Sequence, residues 1–160
     1  MTKKGLWKGF GFGITSGVIT TLGVIVGLHS GTQSKLAVLV GVLVLAVADA
    51  LSDAIGIHVS EEAENEHTTQ ELWQSALFTF ISKLCVALSF IIPLQLFELY
   101  TAILVSVAWG ALFISVFSYL MAKSQKQNPA KVIAEHVIIM IAVVILAHYI
   151  GDFVYELFTM

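Results

Sequence analysis

Five long apolar runs dominate the chain, and its polar and charged residues are gathered mainly into the short breaks between them. The first run, Phe10 to Leu28, lies inside an uncharged stretch from Gly9 to Ser34. The second, Leu36 to Ile57, carries charge only at Asp49 and Asp53. The third, Leu72 to Phe97, is interrupted by Lys83 and holds Pro93 near its end, whereas the fourth, Leu99 to Ala122, has no charge. The fifth, Val132 to Leu157, has Glu135 at one end and Asp152 near the other. Each is long enough to cross ~30 Å of hydrocarbon as a helix. Start signals agree: Thr68-Thr69-Gln70-Glu71 predicts a capping box opening the third helix, and Asn128-Pro129 predicts an N-cap with proline in the first turn of the fifth. The pattern therefore predicts an all-α membrane protein, one five-helix transmembrane domain over 1–160 with a short acidic segment, 58–71, between the second and third helices.

Composition removes the alternatives. Of the 160 residues, 58% are apolar and 12% charged, too few charges for a water-exposed surface of this size. Eight Lys and no Arg stand against eleven carboxylates, for a net charge of −3, so there is no basic patch for nucleic acid. The single cysteine, Cys85, excludes an intramolecular disulfide. Lysine placement sets the expected orientation. Lys3, Lys4 and Lys8 precede the first helix and Lys123, Lys126 and Lys131 lie between the fourth and fifth, so five crossings put both groups on one side. That side is expected to be the cytoplasm, with the N-terminus and the 58–71 segment inside and the C-terminus outside. The first run is too long for the apolar core of a cleaved signal peptide and is expected to be a span.

The second helix carries the candidate chemistry. Asp49 and Asp53 are four apart and share a face. An aspartate at mid-bilayer costs ~2.5–3.5 kcal/mol on insertion scales, which points to an ion or proton path. Pairing with Lys83, or hydrogen bonds to neighbouring hydroxyls, is the structural alternative. If this helix continues beyond the membrane, Gly56, Ser60, Glu64 and His67 fall within about 60° of Asp49. Glu61, Glu62, Glu66 and Glu71 surround that stripe. Carboxylates with one or two imidazoles suit divalent cations such as Mn²⁺ or Fe²⁺, so Asp49, Asp53, Ser60, Glu61, Glu62, Glu64 and His67 form the candidate metal set. A solvated acidic loop is the plain alternative, and His58 points away from the stripe.

In the first helix, Gly9, Gly13 and Gly17 are spaced by four, as are Gly23, Gly27 and Gly31, which predicts close helix contacts within the chain or across a dimer. Thr15, Ser16 and Thr20 supply hydroxyls that could line a path. Lys83 is expected either to snorkel to the cytosolic surface or to act as counter-ion to Asp49 or Asp53. His148 and Asp152, four apart, are candidates for an exit-side pair, and Glu135 and His136 for an interfacial position.

These residues together resemble the vacuolar iron transporter family. The likeness rests on Gly13-Ile-Thr-Ser-Gly-Val-Ile-Thr-Thr-Leu-Gly-Val-Ile-Val-Gly27, on Ala48-Asp-Ala-Leu-Ser-Asp-Ala-Ile-Gly56 with Ser60, on Ile92-Pro93-Leu94 and on Ala147-His-Tyr-Ile-Gly151. The resemblance implies a five-helix homodimer that moves Fe²⁺ or a similar divalent ion out of the cytosol in exchange for protons, along a path near the dimer axis. The transported cation would be substrate rather than a resident cofactor. The resemblance also implies a prokaryotic cell membrane, or a vacuole-type membrane in a eukaryote. Three positions depart from the family pattern: Ser16 stands where the family has Asp, Asp53 where it has Met, and Ile57 where it has Glu. The expected function is thus a divalent-cation secondary transporter. The competing expectation is a membrane metal sensor or assembly scaffold that does not transport. A membrane enzyme ranks below both, because no nucleophile–base pair or His-x-x-x-His pattern is present.

Overall fold

A computed structural model describes residues 3–64 and 66–159. Among these residues six helices follow one another: α1 (Lys3–Thr32), α2 (Lys35–Glu64), α3 (Thr69–Ser89), α4 (Ile91–Leu96), α5 (Leu99–Ser124) and α6 (Pro129–Thr159). With α3 and α4 counted as one span, five segments are long and apolar enough to cross a membrane. Among the described residues there is no strand.

Local chemistry sets the boundaries. The Thr68 hydroxyl accepts from the Glu71 amide at 3.4 Å, while the Glu71 carboxylate accepts from the Thr68 amide at 3.0 Å, completing the expected capping box. Asn128 Oδ1 accepts from the Ala130 amide at 3.0 Å and opens α6 at Pro129. The third apolar run is not one continuous helix. Pro93 has no amide to donate to the Ser89 carbonyl, and the ladder breaks at Phe90, whose amide reaches Ala87 at 3.2 Å instead. At the end of α5, Lys126 adopts φ 56°, and the Gln127 amide reaches back to the Ala122 carbonyl at 2.9 Å. This is a Schellman closure with lysine in the place glycine usually fills. The α2 helix runs on to Glu64, so the first half of the acidic segment is helical.

The central helix is α1, which packs against α2, α3, α5 and α6. Its two glycine rows explain how it serves several neighbours. Six residues separate Gly17 from Gly23, so the second row is rotated by about 120° from the first. The first row faces α3: a methyl group on Gly13 would run into the Thr79 carbonyl and the Ser82 hydroxyl. The second row faces α6, where Gly31 lies against Gly151. Thr79 Oγ1 donates to the Gly9 carbonyl at 3.1 Å across the first of these contacts. Around this centre, Val18, Leu22, Ile25, Val38, Val42, Phe90, Leu94 and Ile114 form the core. The outward faces are apolar as well, from Leu36 and Leu43 on α2 to Ile138, Ile150 and Phe153 on α6, as lipid rather than water requires.

The glycine rows make a contrast that thermal unfolding of the detergent-solubilised protein can read. Gly13→Ala should destabilise by about 1–3 kcal/mol, because backbone of α3 must move to admit the methyl. Gly27→Ala, whose methyl would meet the Ala147 carbonyl at an ordinary 3.5 Å, should be neutral or raise the midpoint slightly. Equal effects at both positions would contradict the packing described.

Candidate ion site

On α2 the residues turned into the bundle are Val38, Val42, Ala46, Ala50, Ala54 and Glu61. Asp49 and Asp53 each immediately precede an alanine of this seam and so flank it. Their side chains are 25% and 21% exposed, half-hidden at the edge of the α1–α2–α3 contact. Opposite them α3 presents Lys83, only 2% exposed. Its stem lies across Gly17, where an added methyl would press on the lysine Cγ at 3.3 Å. The first glycine row therefore makes room for the lysine chain as well as for the helix that carries it.

The ammonium of Lys83 ends among three oxygens from two other helices. It donates to Ser16 Oγ at 2.9 Å and, in a shorter contact, to Asp53 Oδ2. It approaches Asp49 Oδ2 at 2.6 Å, but off the angle of a hydrogen bond, so that oxygen is held by charge alone. The Ser16 hydroxyl passes its proton on, donating to Asp53 Oδ2 at 2.7 Å. Lys83 is thus the counter-ion of both aspartates and does not snorkel. With all three groups ionised the cluster carries one net negative charge. Removing one partner of such a buried pair typically costs 3–5 kcal/mol, because the other charge is left uncompensated.

A second ionic tier lies eight residues along each helix. Eight residues back from Ser16 is Lys8, eight on from Asp53 is Glu61, and eight back from Lys83 is Ser75. Eight residues are about 12 Å of helix. Lys8 Nζ lies 3.3 Å from Glu61 Oε1, and Ser75 Oγ donates to the same oxygen at 3.2 Å. Between the tiers the cation changes helix, from α1 to α3, while the acid stays on α2. Glu61 is 2% exposed although it belongs to the acidic segment. A helical wheel could have found it, since it lies seven residues beyond Ala54 on the seam of small apolar residues.

The remaining sequence candidates do not converge. Glu64 is exposed and pairs with Lys8 at 3.5 Å and His67 at 3.4 Å, whereas Ser60 and Glu62 face outward. Thr20 donates to the Ser16 carbonyl at 2.9 Å. Thr15 donates to Gly11 at 3.0 Å and turns away from the aspartates, lining a cavity of about 710 Å³ with Trp7, Lys8, Met121 and His136. Among the described residues no three His, Cys, Asp or Glu side chains gather as a metal-binding group. His58 rests against the Trp73 ring, 4.4 Å between centroids. At the far end of the bundle His148 pairs with Asp152 at 3.3 Å and meets Ser30 Oγ at 2.5 Å. His136 Nδ1 lies 2.7 Å from Ser118 Oγ.

Residues 8–72 match the model of the VIT family. This is the family that the sequence resembles. The matched stretch holds most of α1, all of α2 and the first turn of α3, and so includes Ser16, Asp49, Asp53 and Glu61. Lys83 lies beyond it. Among curated proteins no relative matches the chain. With five spans, the chain is an integral multi-pass membrane protein. Two departures from the family pattern, Ser16 and Asp53, are hydrogen-bonded to one another.

The outer tier can be tested by a double-mutant cycle. Lys8→Met strands the buried Glu61 charge and should lower the unfolding midpoint, while Lys8→Met/Glu61→Gln should recover part of the loss. A coupling of about 0.5–3 kcal/mol is expected for groups in contact. Strictly additive effects would mean that the pair contributes nothing.

Proposed function

We propose that the protein is a secondary transporter that carries a divalent metal cation of the Mn²⁺/Fe²⁺ type out of the cytosol in exchange for protons. The observation that carries this reading is the cluster of Asp49, Asp53 and Ser16 inside the membrane-spanning part of a chain that matches the VIT family. Carboxylates within a span are retained at considerable cost and face a path or a partner. These donors are all oxygen. Hard oxygen sets suit Mn²⁺, and Asp53 supplies a carboxylate where the family pattern has the softer thioether of methionine. The reading therefore places Mn²⁺ ahead of softer ions. It has the cation released when protons reach the aspartates.

Orientation follows from charge. Lys8, near the start of α1, lines one cavity with Ser124 and Gln125, so it lies at the same end of the bundle as Lys123, Lys126 and Lys131 around the α5–α6 turn. The positive-inside rule makes that end cytoplasmic, with the C-terminus outside. In this reading Glu61, Glu62, Glu64 and His67 lie near the intake, and two copies assemble as a homodimer.

One observation favours the competing reading, a sensor or scaffold without flux: Asp49 and Asp53 are both engaged by the ammonium of Lys83. Flux into proteoliposomes separates the two. Saturable Mn²⁺ or Fe²⁺ uptake, stimulated by an opposing proton gradient, is expected, and Asp49→Asn/Asp53→Asn should lower it at least tenfold while the protein still assembles. Wild-type rates in the double variant would refute the mechanism. Metal binding without flux in the wild-type protein would establish the sensor.

A further inference from the structure

We infer that Lys83 is a tethered cation occupying the place of the transported ion, so that its ammonium and a divalent cation exclude one another at Asp49, Asp53 and Ser16. The inference deepens the transporter reading and rests on it for the identity of the competing ion. Its core claim, that this is a cation site filled by the protein's own side chain, can fail or stand separately.

Three observations carry it. The ammonium is surrounded by two carboxylate oxygens and one hydroxyl oxygen, donors that would equally ligate a hard metal ion. Charge then forbids joint occupancy. The two carboxylates with Lys83 sum to −1 and with a divalent ion alone to zero, whereas both cations on the same three oxygens would lie within contact distance of each other and repel strongly in a low-dielectric span. The hold is also uneven. Lys83 is hydrogen-bonded to Asp53 and Ser16, but Asp49 Oδ2 is buried without a hydrogen bond. Asp49 in turn lines an open apolar groove between α1 and α2, bounded by Val24, Leu28, Gly41 and Val44. Asp49 is therefore the carboxylate that lacks a hydrogen bond to the ammonium and the one that borders an opening at the bundle surface. The flexible four-carbon stem of lysine lets the ammonium withdraw without moving a helix.

The test measures binding of Mn²⁺ alone to detergent-solubilised wild type and Lys83→Met, together with thermal unfolding with and without the metal. With the ammonium gone, Lys83→Met should bind Mn²⁺ at least tenfold more tightly than wild type. It should melt lower without metal and recover when Mn²⁺ is added. Asp49→Asn/Asp53→Asn in the Lys83→Met background should abolish both responses. Unchanged or weaker Mn²⁺ binding by folded Lys83→Met would overturn the inference and give Lys83 a purely structural role. If Lys83→Met assembles only when Mn²⁺ is supplied throughout extraction, the metal has replaced the ammonium and the inference holds. If neither it nor Lys83→Gln, which keeps a donor, assembles even with Mn²⁺, the inference is wrong. Tight Mn²⁺ binding by Lys83→Met in a protein whose wild type shows no flux would refute transport and leave the cation site standing. Flux in wild type with no gain of binding in Lys83→Met would do the reverse.

Discussion

An ammonium group inside a membrane-spanning bundle must be brought within contact distance of negative charge, and that requirement governs much of this structure. Lysine at 83 reaches the aspartates across the contact of α3 with α2, and its stem and its contact with Ser16 depend on the close approach of α3 to α1 that Gly9, Gly13 and Gly17 allow. Side chains at these positions would push the helices apart and strip Lys83 of its partners. Lipid tails are as apolar as the core, so helix association here gains little from hydrophobic burial and depends on close packing and polar contacts. The glycine row supplies the first of these and the lysine cluster the second. Each would be of little use without the other.

Stability alone does not account for the charges. Replacing a buried ion pair by apolar groups of similar volume is often neutral or stabilising, so a bundle selected only to hold together could dispense with Lys83, Asp49 and Asp53. Their arrangement is also asymmetric. Two acids share one base in the inner tier, with the acids partly open and the base sealed. In the outer tier it is the acid, Glu61, that is sealed, while Lys8 is 45% exposed. A structural clasp has no need of that reversal. The ion path proposed above would benefit from it, because the reachable group in the inner tier is a carboxylate, the kind that can bind a cation.

Much of the architecture was legible in the chain because lipid imposes simple demands. Length and apolarity delimit the spans, and Thr68–Glu71 and Asn128–Pro129 mark two helix starts through hydrogen bonds that are local in sequence. The break at Phe90 was only half legible: Pro93 announces a lost bond, but whether the helix bends or stops depends on what packs around it. The closure after α5 gave no signal, because Lys126 takes a left-handed conformation usually left to glycine. The site was legible in kind and not in detail. A lysine and two aspartates in spans must find partners, yet the choice of partner depends on the vertical register of α1, α2 and α3. Hydrophobic pattern fixes the faces of helices and leaves that register free. Glu61 illustrates the difference. Its angular position relative to Asp49 suggested an outer flank of a polar stripe, but measured against Ala54 it falls on the seam.

The contact between Ser16 and Asp53 changes how the departures from the family pattern are understood. Taken singly, a lost aspartate on α1 and a gained aspartate on α2 look like the decay of one site and the appearance of something unrelated. In space the two positions are one locus, joined by a 2.7 Å hydrogen bond. The carboxylate has in effect crossed from one helix to its neighbour, and a hydroxyl remains behind to orient it. The carboxylate at this locus is kept while the donor set loses its sulfur and, at Ile57, a second carboxylate. On the transporter reading proposed above, a site altered in this way would keep its attraction for divalent cations and change its preference among them, because affinity would follow charge and selectivity the softness of the ligands. The base that balances this locus comes from α3, outside the stretch that matches the family, so the chain's own third helix completes the site.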